Sequence, residues 1–105
     1  MTTYRIDFES LSWETVAPGL RAKIHEFDGK RLRIAEFSSE FMELDWCHRG
    51  HIGYVLEGQL QIDFNGRQVV FGPGDGVFIP AGEEHKHKAK VLSGVARLVL
   101  VDAGS

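Results

Sequence analysis

Residues 59–71, with the sequence QLQIDFNGRQVVF, decide the fold class of this chain. Polar and apolar side chains alternate from Gln59 to Asn65, which is the period of a half-buried β-strand. The pair Asn65-Gly66 then favours a tight hairpin turn, because both residue types tolerate a positive φ angle. Residues 67–71 are rich in β-branched and aromatic side chains and are predicted to form the returning strand.

Hairpin and strand signals recur on both sides of this segment. Asp28-Gly29 separates the strand-like stretches 20–27 and 31–37 and predicts another tight hairpin. Glycine and proline are dense in residues 72–76, which a helix would not tolerate. Further strands are predicted at residues 52–57, 77–79, 85–90 and 95–101. About eight short strands at intervals of about 8–12 residues are typical of an all-β sandwich or barrel.

The composition fits one small domain of 105 residues, 43% of them hydrophobic. Twelve basic and 15 acidic side chains give a net charge of −3, which argues against nucleic acid or a membrane surface as a partner. The longest apolar run, residues 98–101, is too short for a membrane span, and residues 1–7 lack a signal-peptide core. We therefore expect a cytoplasmic protein. The single cysteine, Cys47, excludes an intramolecular disulfide and a zinc site built on several cysteines.

Histidines and lysines alternate strictly in residues 85–90. In a strand, His85 and His87 would share one face and the three lysines would share the other. Because lysine favours water, the histidine face is predicted to point into the barrel. Buried imidazoles need partners, and the pattern leaves two kinds open: a metal ion, or backbone and carboxylate groups of the protein.

A further group of possible metal-binding residues lies at the end of the segment 38–46 and directly after it. This segment is too short for an isolated helix and is predicted to be a loop or an edge strand. Asp45, Cys47 and His51 have the same strand parity and could face the interior together with His85. A carboxylate, a thiolate and imidazoles are all ligands for divalent transition metals. Cys47 is also explained as a small buried hydrophobic residue, and Asp45 as a turn or capping residue.

Two motifs make the sequence resemble the cupin superfamily. The second motif of that family, with glycine, proline, glycine and histidine at fixed spacing, is matched at residues 74–89 by Gly74, Pro80, Gly82 and His85. Ala89 stands where the family has asparagine. The match is otherwise complete over this motif.

The first cupin motif is matched less closely, at residues 39–58. Its final glycine corresponds to Gly58, which ends the strand-like phrase YVLEG. Asp45, Cys47 and His51 stand where the family places two histidines and a glutamate. Each of these substitutions keeps a side chain that can bind a metal, which favours an altered site over a lost one.

The resemblance implies an all-β fold, a double-stranded β-helix (jelly-roll) barrel, as a single cupin domain over residues 1–105. It also implies a divalent transition metal or a small ligand inside the barrel, and a homodimer. The implied metal ligands are Asp45, Cys47, His51 and His85. A thiolate among them favours zinc or iron over magnesium or calcium.

These residues are compatible with two functions. One is a metal-dependent enzyme acting on a small sugar-like or organic-acid substrate, with His87 as a proton shuttle. In a metal-free variant, Cys47 would be a thiolate nucleophile activated by His51 or His85. The other is a non-enzymatic module that binds or senses a small ligand in a metal-free pocket. In either case the expected partner is a small molecule, with no nucleic acid and no membrane.

Overall fold

The computed structural model describes residues 4–102 of the chain. Single turns of 3₁₀ helix lie at Phe8–Ser10 and Glu83–His85. The strands within the described residues are β1 Glu14–Ala17, β2 Leu20–Phe27, β3 Lys30–Ser38, β4 His51–Glu57, β5 Leu60–Asp63, β6 Gln68–Phe71, β7 Gly76–Ile79, β8 Lys88–Val91 and β9 Val95–Asp102. None of the helical turns between residues 4 and 102 has the length and apolar character needed to cross a membrane.

The strands form two antiparallel sheets. The larger sheet has the order β1-β2-β3-β9-β4-β7, and the smaller has the order β6-β5-β8. Several neighbours in these sheets are distant in sequence, since β9 pairs with both β3 and β4, and β5 pairs with β8. This is the predicted all-β jelly-roll fold.

Both predicted hairpin turns are confirmed. Asp28 and Gly29 have φ angles of 53° and 75°, and they join β2 to β3 with Phe27 opposite Lys30. Asn65 and Gly66, with φ angles of 59° and 109°, lie between β5 and β6. Positive φ at successive turn residues matches the right-handed twist of the strands, so these short sequences fix the local register.

The hydrophobic core lies between the sheets and follows the predicted alternation. On β5, Leu60 and Ile62 are buried, and Phe64 beyond the strand packs against the same core. On β9, every second side chain from Ala96 to Leu100 is buried. Val55, Val77 and Ile79 bring the far edge of the larger sheet into this core. The remaining buried or partly buried members are Leu20, Ala35, Phe37, Phe41, Phe71, Ala89 and Val91.

The strand predictions differ from the structure at two places. The edge strand β1 was not predicted, because its side chains are mostly exposed and show no alternation. The prediction of a strand over residues 85–90 is wrong for its first part, because residues 83–85 form a helical turn and β8 begins at Lys88. Glu83 contacts both His48, at 2.6 Å, and Lys86, at 3.1 Å, which ties this turn to the neighbouring loop.

The segment 38–46 forms the predicted loop. An isolated bridge between Met42 and Lys90 attaches it to β8, an edge strand of the smaller sheet. Phe41 turns inward, and its ring meets that of Phe37 edge-on with centroids 4.9 Å apart. The loop therefore closes one side of the barrel without being a strand.

Glu36 on β3 holds three strands together through charge pairs. Its carboxylate accepts hydrogen bonds from Arg21 of β2, at 2.7 Å, and from Arg97 of β9, at 2.6 Å. Only 13% of the Glu36 side chain is exposed. The hydrogen bonds from Arg21 and Arg97 hold the pKa of this carboxyl below its usual range.

The Glu36→Gln variant should lose about 1 kcal/mol of stability at neutral pH, because the arginines lose their charged partner but remain partly solvated. Since the folded-state pKa is lowered, this contribution is present above the unfolded pKa, near 4.5, and is lost as the pH falls through the folded value. Urea unfolding of both proteins should show a difference that shrinks in acid. A difference independent of pH would contradict the ion-pair explanation.

Gly58, the final residue of the first motif, has a structural reason to be glycine. Its φ angle is +81°, and a Cβ here would overlap the carbonyl oxygen of Val95 and approach the Cα of Ala96 at 2.6 Å. Gly58→Ala should therefore destabilise the fold by at least about 3 kcal/mol. Gly29→Ala is the matched control, because Gly29 has a φ angle of +75° but no atom within 4 Å of its Cβ position. Equal losses in thermal unfolding would contradict the steric argument.

Candidate metal and ligand site

A cavity of about 250 Å³ lies inside the barrel. Most of its wall is apolar and comes from both sheets, including Phe37, Leu60 and Leu100. The polar or ionisable residues of the wall are Arg33, Glu43, Cys47, Arg49, His51 and His87. An apolar cavity with a few converging polar groups is the usual form of a small-molecule site.

Cys47, His51 and His87 form a compact cluster in this wall. One ligand atom from each residue lies within 4.8 Å of the others. Cys47 and His87 face each other across an antiparallel bridge, with backbone N–H···O bonds of 2.8 Å and 3.0 Å. His51 is the first residue of β4 and pairs with Ile79 of β7. The cluster therefore lies where the loop before β4 meets the segment before β8.

His87 is held in one orientation by its surroundings. It is the most deeply buried ionisable residue in the described core, with 2% exposure. Its Nδ1 lies 3.2 Å from the carbonyl oxygen of His85. Because a carbonyl only accepts hydrogen bonds, Nδ1 is the donor, and the lone pair of the neutral ring is on Nε2. A backbone carbonyl that fixes the tautomer in this way is typical of metal-ligating histidines.

His51 lies in an environment that keeps its ring neutral. Burial is the main cause that lowers its pKa to about 4, and the positive charges of Arg33 and Arg49 add to the effect. Its Nδ1 is buried without a hydrogen-bond partner, while its Nε2 lies 3.9 Å from Sγ of Cys47. The His51 and His87 rings are nearly perpendicular, with centroids 5.2 Å apart.

These residues fit a divalent transition metal. Zinc and related ions are bound by thiolate sulfur and neutral imidazole nitrogen, which are the donor types of this cluster. The unpartnered Nδ1 of His51 is a buried polar atom that the protein itself does not satisfy. The cysteine is free of any disulfide. The cluster can therefore supply three protein ligands to such an ion.

Two of the predicted metal ligands lie outside the cluster. Asp45 is exposed in the loop. His85 is in the helical turn before β8, with 41% of its side chain exposed and its Nε2 3.8 Å from the carboxylate of Glu84. Since residues 83–85 are not extended, His85 and His87 do not share the predicted strand face. His87, which the sequence suggested as a proton shuttle, takes the inward position instead.

Three further charged residues of the cavity wall were not singled out from the sequence. Arg33 is buried and forms two hydrogen bonds with Asp102, at 2.7 Å and 3.3 Å. Burial raises the pKa of Glu43, although its Oε1 accepts the N–H of Ala89 at 3.0 Å. Arg49 lies between Cys47 and His51 in sequence and lines the same cavity. The alternation on β3 could have predicted the inward position of Arg33, because Arg33 shares its strand face with Ala35 and Phe37.

Comparison with solved structures places this fold among cupins. An RmlC-like cupin from Shewanella frigidimarina is 18% identical, with a TM-score of 0.77 over 99% of this chain and 93% of that one. The polyketide cyclase RemF from Streptomyces resistomycificus is 25% identical, with a TM-score of 0.76 over 96% and 78% of the two chains. A sugar phosphate isomerase of the cupin superfamily from Silicibacter pomeroyi is 16% identical, with a TM-score of 0.77 over 96% and 76%.

The sequence comparisons agree with the structural ones. A search of curated proteins finds no match to this chain. The family model described as "Cupin domain" matches residues 42–102, which include most of the first motif, the whole second motif and all three residues of the Cys47–His51–His87 cluster. Because that match extends over more than half of the sequence, the chain belongs to the Cupin_2 family of cupin domains.

Proposed function

We propose that Cys47, His51 and His87 hold a divalent transition metal ion beside a cavity that receives a small molecule. The observation that carries this proposal is the convergence of one thiol and two imidazoles, within 4.8 Å of one another, on the wall of an otherwise apolar cavity. Zinc or iron fits best, because thiolate and imidazole ligands favour them over magnesium or calcium. We also propose that residues 1–105 form one small cupin domain.

The number of protein ligands supports an enzyme. Structural zinc sites use four protein ligands, whereas catalytic sites use three and keep one position open. A bound ion would act here as a Lewis acid or activate water. The protein contributes the fixed tautomer of His87, the neutral ring of His51 and a mostly apolar wall. Two of the structural neighbours, a polyketide cyclase and a sugar phosphate isomerase, are enzymes by name.

The metal proposal predicts how substitutions change the metal content of purified protein. His51→Ala and His87→Ala should each lower bound zinc or iron by at least about tenfold, because loss of one of three ligands removes a strong bond. His85→Ala and Asp45→Ala are the matched controls and should keep the ion, since neither residue belongs to the cluster. Elemental analysis gives the metal content, and circular dichroism verifies that each variant is folded.

The opposite pattern would support a different site. Loss of metal in His85→Ala and Asp45→Ala, with full content in His87→Ala, would favour Asp45, Cys47, His51 and His85, the set implied by the cupin motifs. Wild-type protein that takes up no metal from a zinc or iron solution would favour the metal-free binding module, for which the mostly apolar wall is the supporting observation.

We also propose that a second copy of this chain covers the outer face of the larger sheet. Ile52, Tyr54 and Leu56 of β4 are exposed there, and Phe78 of the edge strand β7 is 74% exposed. Ile52 pairs with Phe78 on one side and with Val101 on the other, so these side chains are neighbours. An apolar patch on one rigid face is suited to a two-fold interface, in which the same surface meets itself.

The Phe78→Glu variant should weaken the dimer, because two-fold symmetry brings both introduced carboxylates into one apolar interface. Analytical ultracentrifugation at several concentrations would show the shift to monomer. Val70→Glu is the control, since Val70 is 53% exposed on β6 of the smaller sheet, away from this face. A wild-type protein that stays monomeric at all concentrations would contradict the dimer proposal.

A further inference from the structure

Arg49 is a cation in the cavity wall with no partner of its own. Among residues 4–102, the structure shows no hydrogen bond or ion pair to its side chain, although it lines the cavity. Arg33, the other arginine of the wall, is neutralised by Asp102 through contacts of 2.7 Å and 3.3 Å. Arg49 is an exposed residue that lines the cavity, so its solvated guanidinium is free to bind an anionic group that enters the cavity from solvent.

The remaining charged residue of the wall limits how many anionic groups a ligand can carry. The carboxyl of Glu43 lines the same cavity and is held on the N–H of Ala89 at 3.0 Å. A second carboxylate on the ligand would meet this group rather than another free arginine. One free guanidinium and one fixed carboxyl thus favour a ligand with a single negative charge.

The body of the ligand must match an apolar wall. Phe37, Phe41, Leu60, Ile62 and Leu98 are among the side chains that surround the cavity. Hydroxyl groups placed against such side chains would leave their hydrogen bonds with water and gain none, which weakens binding by about tenfold or more for each unpaired group. This wall therefore disfavours a polyhydroxylated sugar acid.

The cavity also limits the size of the ligand. Its volume of about 250 Å³ lies just below the roughly 300–1,000 Å³ that is typical of small-molecule sites. The cavity therefore favours a compact ligand. A ring or a branched aliphatic chain with one carboxylate has this size and shape.

We propose that the cavity binds a small monocarboxylate with an apolar body, whose carboxylate is held by the guanidinium of Arg49. Arginine and carboxylate form two parallel hydrogen bonds, so the contact orients the ligand as well as binding it. The apolar body would then lie along the barrel interior, with the Cys47–His51–His87 cluster in the same wall. This inference rests on the proposed function, because it places the ligand in the cavity beside the metal site.

Benzoate is a suitable probe, because it joins one carboxylate to one apolar ring. Isothermal titration calorimetry should detect benzoate binding to both chelator-treated and zinc-loaded protein. Arg49→Gln should weaken that binding by about ten- to a hundredfold, and Arg49→Lys should weaken it less, because the charge is kept but the two-pronged contact is lost. Arg67→Gln is the matched control, since Arg67 is exposed in the β5–β6 hairpin and does not line the cavity.

Two comparison ligands test the parts of the proposal separately. Benzyl alcohol should bind at least about tenfold more weakly than benzoate, because it lacks the charge that Arg49 recognises. Glucuronate should also bind more weakly, because its hydroxyl groups find no partners on the apolar wall. Equal binding of benzoate by Arg49→Gln and wild type, or tighter binding of glucuronate than of benzoate, would overturn the proposal.

The experiment also separates this inference from the metal site. Zinc binding without benzoate binding would overturn the inference and leave the proposed metal site standing. Benzoate binding that depends on Arg49 in a protein that takes up no metal would support the inference and overturn the metal proposal.

Discussion

Two backbone hydrogen bonds between Cys47 and His87 determine where the polar end of the cavity lies. They are 2.8 Å and 3.0 Å long and join the loop before β4 to the segment that leads into β8. They bring together a thiol and an imidazole from two segments that are distant in sequence. The rest of the barrel interior is lined mostly by aliphatic and aromatic side chains. The same connection positions the chain from Cys47 to His51, and with it Arg49, on the cavity wall. The candidate metal site and the candidate anion site therefore both depend on the pairing of Cys47 with His87.

The fold was predictable from the sequence because its signals are local. The alternation of residues 59–65 and the turns at Asp28-Gly29 and Asn65-Gly66 each act within a few residues, and the structure confirms them. The edge strand β1 gives no such signal, since an exposed strand that pairs only with β2 needs no apolar face. The order of strands in the sheets was not predicted, because the pairing of β9 with β3 and β4 joins distant segments; the resemblance to cupins implied only the jelly-roll barrel.

The site was less predictable, because it depends on contacts between distant segments. Ligand chemistry and motif position predict Cys47 and His51, and the structure brings them together. Which of His85 and His87 faces the cavity depends on where β8 begins. The hydrogen bonds of Glu83 with His48 and Lys86 belong to a helical turn, so β8 begins only at Lys88. The roles of Glu43 and Arg49 also come from tertiary structure, since neither lies on a strand with a clear inward face.

The barrel alone does not specify a substrate. Solved structures with TM-scores of 0.76 and 0.77 against this chain include a polyketide cyclase and a sugar phosphate isomerase, so one backbone arrangement supports different chemistry. The features of this chain that bear on its ligand are the side chains on its cavity wall: a thiol with two imidazoles, one guanidinium without a protein partner, one fixed carboxyl and an apolar remainder. In the proposals above, the cluster holds the metal ion, Arg49 selects a carboxylate and the apolar wall selects an apolar body. These side chains therefore specify the proposed ligand more closely than the fold does.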